Sequence, residues 1–318
     1  MSTALTIADV IQARERLSAY LQPTPLEAAP DLGPAVWLKL ENINRTHSFK
    51  IRGALNAVLS LNTAARERGI VTASSGNHAQ GLAYAAQMVG APATILMPAH
   101  TPRRKVEGVR RSGARAVLEF PNYDACEAEA LRLALARDEG MTYVSPYNHP
   151  AIVAGAGTIG LEILDQLPDV KRVIVCVGGG GLISGIALAI RSFRPDAEVI
   201  GVNARAAPAM HNAFYGTTYP ENWDTLAEAL SGDIEAGSIT VPLTRQYVDR
   251  IVLVEETHIA AAMRWLIDVQ GWLVEGGGAV GVAALLAGVI PVDDTPTAVI
   301  VSGGNVDGDT VRRILQTD

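Results

Sequence analysis

Val173-Ile174-Val175-Cys176-Val177-Gly178-Gly179-Gly180-Gly181-Leu182-Ile183-Ser184-Gly185-Ile186-Ala187-Leu188 is the stretch on which the fold turns. It opens as a continuous apolar, mostly β-branched run, the pattern of a strand covered on both faces. It closes on small and aliphatic residues that read as a packed helix. Between the two, a run of glycines lets consecutive backbone N–H groups converge, and the helix that follows adds its positive N-terminal end. Phosphate is the natural guest of such a cradle, and a tight turn that needs glycine only for packing is the plain alternative. Gly178 and Gly180 also match the first two glycines of a dinucleotide loop. Ile183 occupies the place of the third, however, and the next strand ends at Asn203 rather than at an acidic residue that would hold a ribose. No Lys-Ser/Thr pair follows, so this is not a Walker loop.

Working outward, the same alternation recurs. Candidate strands are Val36–Leu40, Ile70–Ala73, Ala93–Met97, Arg115–Phe120, Arg172–Val177, Glu198–Val202, Arg250–Val254 and Ala298–Val301, with helical stretches such as Gly81–Val89 and Leu182–Arg191 between them. Strands that alternate with helices predict an α/β fold built on parallel sheets with right-handed crossovers. The charged turn Arg66–Gly69 and the stretch Tyr143–Pro150 read as hinges. They divide the chain into a large domain of residues 1–65 and 148–318 and a small inserted domain of residues 66–147.

Composition narrows the function classes. At 318 residues, 48% hydrophobic and 19% charged, the chain has core enough for two domains. A formal net charge of -7 gives nucleic acid or an anionic membrane no bulk attraction. No apolar run reaches the roughly 18 residues of a spanning helix, and the N-terminus lacks the pattern of a secretory signal. The expectation is a cytoplasmic protein with neither nucleic-acid nor membrane partners. Cys126 and Cys176 are far apart and lack metal-ligand spacing, and Cys176 reads as a buried, inert thiol.

Two further loops resemble ligand cradles. Ser74-Ser75-Gly76-Asn77-His78 follows a strand and precedes a helix, with hydroxyl and amide side chains where the first loop has glycine. That combination suits a carboxylate, bound by backbone N–H groups and a serine hydroxyl, although a simple N-cap would read the same way. Ser302-Gly303-Gly304-Asn305 ends an apolar strand, where α/β proteins place ligands and where chain-reversal turns also occur.

Lysine is scarce enough to be decisive. Of 26 basic residues only Lys39, Lys50, Lys105 and Lys171 are lysines. Lys105 in Arg103-Arg104-Lys105 and Lys171 in a turn read as solvated, and Lys39 as a solvent-facing or ion-paired strand residue. Lys50, in Ser48-Phe49-Lys50-Ile51-Arg52-Gly53, lies just inside a helix, where the dipole disfavours an ammonium and favours a neutral nucleophile. An exposed lysine on an amphipathic helix is the commoner fate. A phosphate cradle together with one well-placed lysine points to a phosphorylated carbonyl cofactor held as a Schiff base.

Ser48–Ala54, Ser74–Gly81, the glycine tetrad and Ser302–Asn305 together resemble the fold-type II pyridoxal-phosphate enzymes, most closely the threonine/serine dehydratase and serine racemase branch, from about Pro23 to Asn305. The resemblance implies a tryptophan-synthase-β-like architecture of two open parallel-sheet domains with the active site between them, and pyridoxal 5'-phosphate as cofactor. It implies that Lys50 carries the cofactor, Phe49 packs beside its ring and Asn77 bonds its phenolic oxygen. Gly178, Gly179, Gly180, Gly181 and Leu182 would hold the phosphate, and Ser302 would face the pyridine nitrogen. The substrate carboxylate would sit on Ser74, Ser75, Gly76, Asn77 and His78.

The implied reaction is removal of the β-hydroxyl of a 3-hydroxy amino acid such as threonine or serine, giving a 2-keto acid and ammonia. Lys50 acts as base on the α-proton, and the hydroxyl leaves with a proton supplied through the cofactor phosphate. Ser75 matches a serine that works on the opposite face in the racemase branch, so racemisation stays open. Some hydroxyectoine-utilisation and phenylserine dehydratases have similar loops, which keeps bulkier substrates such as 3-hydroxyaspartate or phenylserine open too. A homodimer is implied. A nicotinamide oxidoreductase through the glycine loop and a non-catalytic binding protein are the readings from other classes.

Three positions depart from the family pattern. His47 stands where glycine is usual, either narrowing the site, touching a substrate group or packing as a turn residue. Asn203 and Ala209 stand where a divalent-ion site has acidic residues, so no metal is expected. Gly276 replaces the proline that usually follows Glu275. The chain ends soon after Asn305, which predicts no allosteric domain and no feedback control by isoleucine.

Overall fold

The computed structural model describes residues 5–136 and 140–316. Its strands are β1 (Leu26–Ala28), β2 (Val36–Leu40), β3 (Ile70–Ala73), β4 (Ala93–Pro98), β5 (Arg115–Phe120), β6 (Thr142–Tyr143), β7 (Arg172–Cys176), β8 (Glu198–Ala204), β9 (Arg250–Val254) and β10 (Thr297–Val301). They form two sheets. The larger has the order β1-β2-β10-β7-β8-β9 and the smaller β5-β4-β3-β6. Every neighbouring pair is parallel except β1 on β2, which is antiparallel. The parallel α/β expectation from strand–helix alternation is therefore met. The two strands it did not include, β1 and β6, are very short, and such segments carry too little pattern to be read as strands.

Helices lie on both faces of the larger sheet, and this explains its central strands. Every residue of β7 and β10 is buried, so neither strand shows the alternation of a one-sided sheet. The main core gathers these strands with apolar faces of the Pro150–Gln166, Gly181–Phe193 and Gly276–Leu286 helices. A second core lies under the smaller sheet. It joins Ile70, Ile95 and Met97 to Leu82 and Ala86 of the Asn77–Met88 helix, and to Ile51, Leu55 and Val58 of the Lys50–Ser60 helix. The Lys50–Ser60 helix thus packs into the core of the smaller sheet while its N-terminus reaches the larger one.

That helix is also held by a buried network of charges. Arg52 donates from Nε to Glu41 Oε2 at 2.8 Å and from Nη1 to Glu162 Oε1 at 2.5 Å. Lys39 Nζ donates to Glu162 Oε2 at 2.6 Å and to the Thr24 carbonyl at 2.6 Å. Two cations face two carboxylates, with hydroxyl and carbonyl groups completing their coordination, so burial leaves no net charge unpaired. Of the two alternatives for Lys39, a solvent-facing position is thereby excluded, since its side chain is wholly buried and ion-paired.

Candidate active site

The carboxyl ends of β3, β7 and β10 converge on a cavity of about 750 Å³. Ligands sit at this edge of open parallel sheets because loops there can present backbone N–H groups and helix N-termini to one point. Phe49, Lys50, Ser74–His78, Gly178–Leu182 and Ser302 all line this one cavity. Segments more than two hundred residues apart in the chain are thus brought together.

Backbone hydrogen bonds weld the loops. Phe49 N donates to the Ser302 carbonyl at 3.0 Å, and Gly304 N to the His47 carbonyl at 2.9 Å. Asn305 Nδ2 reaches the Thr46 carbonyl at 2.9 Å and Asn77 Oδ1 at 2.8 Å. Asn77 in turn donates from Nδ2 to Glu275 Oε1 at 2.6 Å. With an acceptor on one side and a donor on the other, the Asn77 amide can point only one way, and its second Nδ2 hydrogen remains for a ligand.

Lys50 is the first residue of its helix. Its ammonium donates to the Pro146 carbonyl at 2.9 Å and lies 5.2 Å from the centre of the Phe49 ring. Burial pulls it down to about 8, although Cys176 and Glu275 partly oppose the shift. The same desolvation pushes Glu275 up to about 7, against the pull of its Asn77 hydrogen bond and of Lys105. Cys176 sits at the end of β7 on the cavity wall, and burial pushes its thiol up to about 11, so it stays protonated. The inert-thiol reading is sound on chemistry, but nothing in the apolar run around Cys176 marks it as a residue of the cavity wall.

The glycine loop is shaped by its neighbours. A Cβ on Gly179 would sit 2.6 Å from the Tyr147 ring. Gly180 takes φ +85, a left-handed conformation that glycine adopts freely. Thr240 Oγ1 donates to the Gly179 carbonyl at 2.7 Å and fixes the loop from below. The Gly181–Phe193 helix starts here, so its unpaired first-turn N–H groups join the cradle.

In the second loop, Gly76 N donates to Ser74 Oγ at 3.3 Å, which curls the turn. Ser75 and Gly76 are half-buried in the cavity wall. His78 is buried, with Nε2 at 3.1 Å from the Val144 carbonyl. Burial first, and then Lys50, push its ring down to about 3, so it is neutral. The proton belongs on Nε2, leaving Nδ1 as a buried acceptor without a partner among the described residues.

Several lining residues were not legible. Tyr147 comes from the supposed hinge. The Trp223–Glu235 segment forms much of the cavity's rim, although nothing in its composition marks a ligand loop. It also explains one departure: a Cβ on Gly276 would overlap the Leu226 carbonyl oxygen, so proline has no room there. Lys105, expected to be solvated, pairs with Glu228 at 3.0 Å across this rim. Asn203 donates to the Val177 and Ala207 carbonyls and accepts from His211 N, so its amide closes a turn. Among the described residues no three His, Cys, Asp or Glu side chains gather as a metal-ligating group.

A softened lysine beside a glycine cradle that one Cβ would fill suits a phosphorylated aldehyde. Comparison with known proteins agrees. Residues 17–303 match the family described as pyridoxal-phosphate dependent enzyme. The chain belongs to that family. An L-threonine ammonia-lyase of Thermotoga maritima is 41% identical over 317 residues, which cover 98% of this chain and 78% of the relative. Maize serine racemase superposes with a TM-score of 0.89 at 30% identity, covering 98% of this chain and 97% of that one. The processed threonine deaminase isoform 2 of Solanum lycopersicum gives 0.87 at 32% identity, covering 97% and 88%. The cofactor of this pyridoxal-phosphate-dependent enzyme is therefore pyridoxal phosphate, as the motifs implied, and its fold is the type II fold that the resemblance predicted.

Proposed function

We propose that this enzyme dehydrates and deaminates a small 3-hydroxy amino acid, threonine or serine, to a 2-keto acid and ammonia. The observation that carries the reading is Lys50: a buried amine pulled down to about 8 on the floor of a cavity that also holds a phosphate-type cradle and a carboxylate-type loop. The named ammonia-lyase and deaminase relatives support it.

When bound, pyridoxal phosphate supplies an aldehyde for the amine and an electron sink for charge left on the α-carbon. Lys50 would carry it, Phe49 would pack beside it, and Gly178–Gly181 with Leu182 would hold its phosphate. Ser302 would serve the pyridine nitrogen, and the remaining Nδ2 hydrogen of Asn77 the phenolic oxygen. Ser74–Asn77 seats the substrate carboxylate, and His78 closes that pocket from behind as a neutral ring. Lys50, uncharged at little cost near neutral pH, takes the α-proton. Loss of the β-hydroxyl then completes the elimination, and hydrolysis of the released enamine gives keto acid and ammonia.

Racemisation is a second reading with its own observation. Ser75 lines the same cavity as Lys50, and its hydroxyl makes no hydrogen bond with any described residue, which leaves that oxygen available. Residues 66–147 serve as a small domain that closes over substrate, and the rest as the cofactor domain. The enzyme acts as a homodimer in the cytoplasm, a setting that keeps its two unpaired, buried cysteines reduced. Light scattering checks the dimer directly.

Incubating the yellow holoenzyme with L-threonine and L-serine, and measuring keto acid, ammonia and residual enantiomers, tests the reading. Stoichiometric keto acid and ammonia are expected. Inverted amino acid with little ammonia would replace dehydration by racemisation.

A further inference from the structure

His47 takes φ +54, and among the described residues it is the only residue other than glycine at positive φ. Left-handed backbone is costly for a residue with a Cβ and free for glycine. The conformation is imposed from both sides. His47 N donates to the Asn44 carbonyl at 2.8 Å, and its own carbonyl accepts from Gly304 N at 2.9 Å. Next to it, Ser48 bridges Gly303. Welding the Lys50 loop to the 302–305 loop therefore requires this turn, and glycine would make it at lower cost.

The imidazole does nothing visible for the fold in return. It is exposed, and it makes no hydrogen bond, ion pair or ring contact with any described residue. It lines the same cavity as Lys50, three residues away along the chain. The Gly304 bond sets it beside the stretch from which Asn305 and Asp307 also face that cavity. A side chain held in an unfavourable backbone, unpaired among the described residues and on the cavity lining, is the pattern of a residue kept for binding.

We propose that His47 is a specificity-determining residue that hydrogen-bonds a polar group carried beyond the β-carbon of the substrate, so that the enzyme favours 3-hydroxy amino acids with a polar side chain over threonine with its methyl. The inference rests on the dehydratase reading and shifts its preferred substrate from threonine and serine to 3-hydroxy amino acids with a polar side chain. Imidazole suits the task because it can donate, accept or, when protonated, pair with a carboxylate. Such a contact favours a substrate that carries the group, because an analogue without it cannot gain the bond; with the ring exposed to water, the preference comes from that added bond.

The test compares wild type, His47→Gly and His47→Asn on L-serine, L-threonine, 3-hydroxyaspartate and phenylserine. Keto-acid release and the spectral titration of the bound cofactor are read in parallel, the second giving Kd without turnover. In His47→Gly the preference for 3-hydroxyaspartate over threonine should fall about ten-fold or more, in kcat/KM and in Kd alike. His47→Asn tolerates positive φ and still hydrogen-bonds, so it should keep most of the preference. The Tm of His47→Gly should equal or exceed that of wild type. An unchanged preference would overturn the proposal, as would an equal loss on all four substrates, a selective loss on phenylserine or a lowered Tm. If wild type released no keto acid from any substrate, the dehydratase reading would fall, and the Kd ratio would still decide the role of His47.

Discussion

Lys50 and Arg52 are two residues apart on one helix, both cations and both buried, yet their surroundings are opposite. Arg52 faces Glu41 and Glu162 with Lys39 close by, and every charge there has a partner. Burial alone would lower Arg52, but those carboxylates more than compensate and hold its affinity for the proton above the ordinary value. Burial likewise pushes Glu41 up, and Arg52, Lys39 and Thr24 together outweigh it, so Glu41 is held below the usual carboxylate range. At Lys50 desolvation wins, because its direct partner is a neutral carbonyl and Glu275 nearby is itself pushed up towards neutrality. Two carboxylates around Arg52 make a structural clamp, although burial still lowers the proton affinity of Lys39 within it despite Glu162; a neutral carbonyl as the direct partner leaves Lys50 a reactive amine. The clamp holds the helix that presents the amine.

Removing each group in turn can break that contrast. Lys50→Ala should lower turnover by about a thousand-fold or more, since base and cofactor anchor go together, while the urea midpoint changes little. Arg52→Ala should do the reverse. It strands Glu41 in the interior, leaves Glu162 with Lys39 alone and should cost about 3–5 kcal/mol of stability, seen as an early urea transition. If both variants unfolded alike, the division between clamp and reactive site would be wrong.

Glu275 sharpens the comparison through pH. Its carboxyl rises from 4.5 to about 7 on folding, so between these values the native state holds a proton that the unfolded chain has lost. Stability of the cofactor-free protein should therefore fall as pH rises through that window, by about 3 kcal/mol in total, and level off above it. Glu275→Gln should flatten the curve, as read from denaturation midpoints at pH 5 and pH 8. A Glu275→Gln curve parallel to wild type would assign the slope to other groups. The smallest effect is expected at the cradle. Gly179→Ala forces the Tyr147 ring aside and should weaken cofactor retention about ten-fold, roughly 1.4 kcal/mol, measured by fluorescence titration of the apoprotein.

The local parts of this architecture were legible because they are written in contiguous residues. A run such as Val173–Val177 followed by glycines specifies strand, loop and helix wherever it occurs. The same holds for the position of Lys50 just inside a helix, in a chain where lysine is scarce. What stayed hidden depends on distant pairings. Lys39 alternates on β2 like a surface residue, and only Glu162, far along the chain, makes its burial tolerable. Gly276 looked like a lost proline until the Leu226 carbonyl was found against it. Tyr147 read as hinge sequence, yet its ring walls the glycine cradle. At His47 the sequence alone allows a narrowed site, a substrate contact or a packed turn residue; its positive φ and its ring, unpaired among the described residues, favour the substrate contact.

The central claim is that Lys50 carries the cofactor, and borohydride reduction of the holoenzyme tests it most directly. Peptide mapping by mass spectrometry should find the reduced phosphopyridoxyl group on the peptide containing Ser48-Phe49-Lys50, with capture by the apoprotein rising as pH passes about 8. Label on Lys39, Lys105 or Lys171 instead, or a protein that takes up no cofactor, would contradict the account.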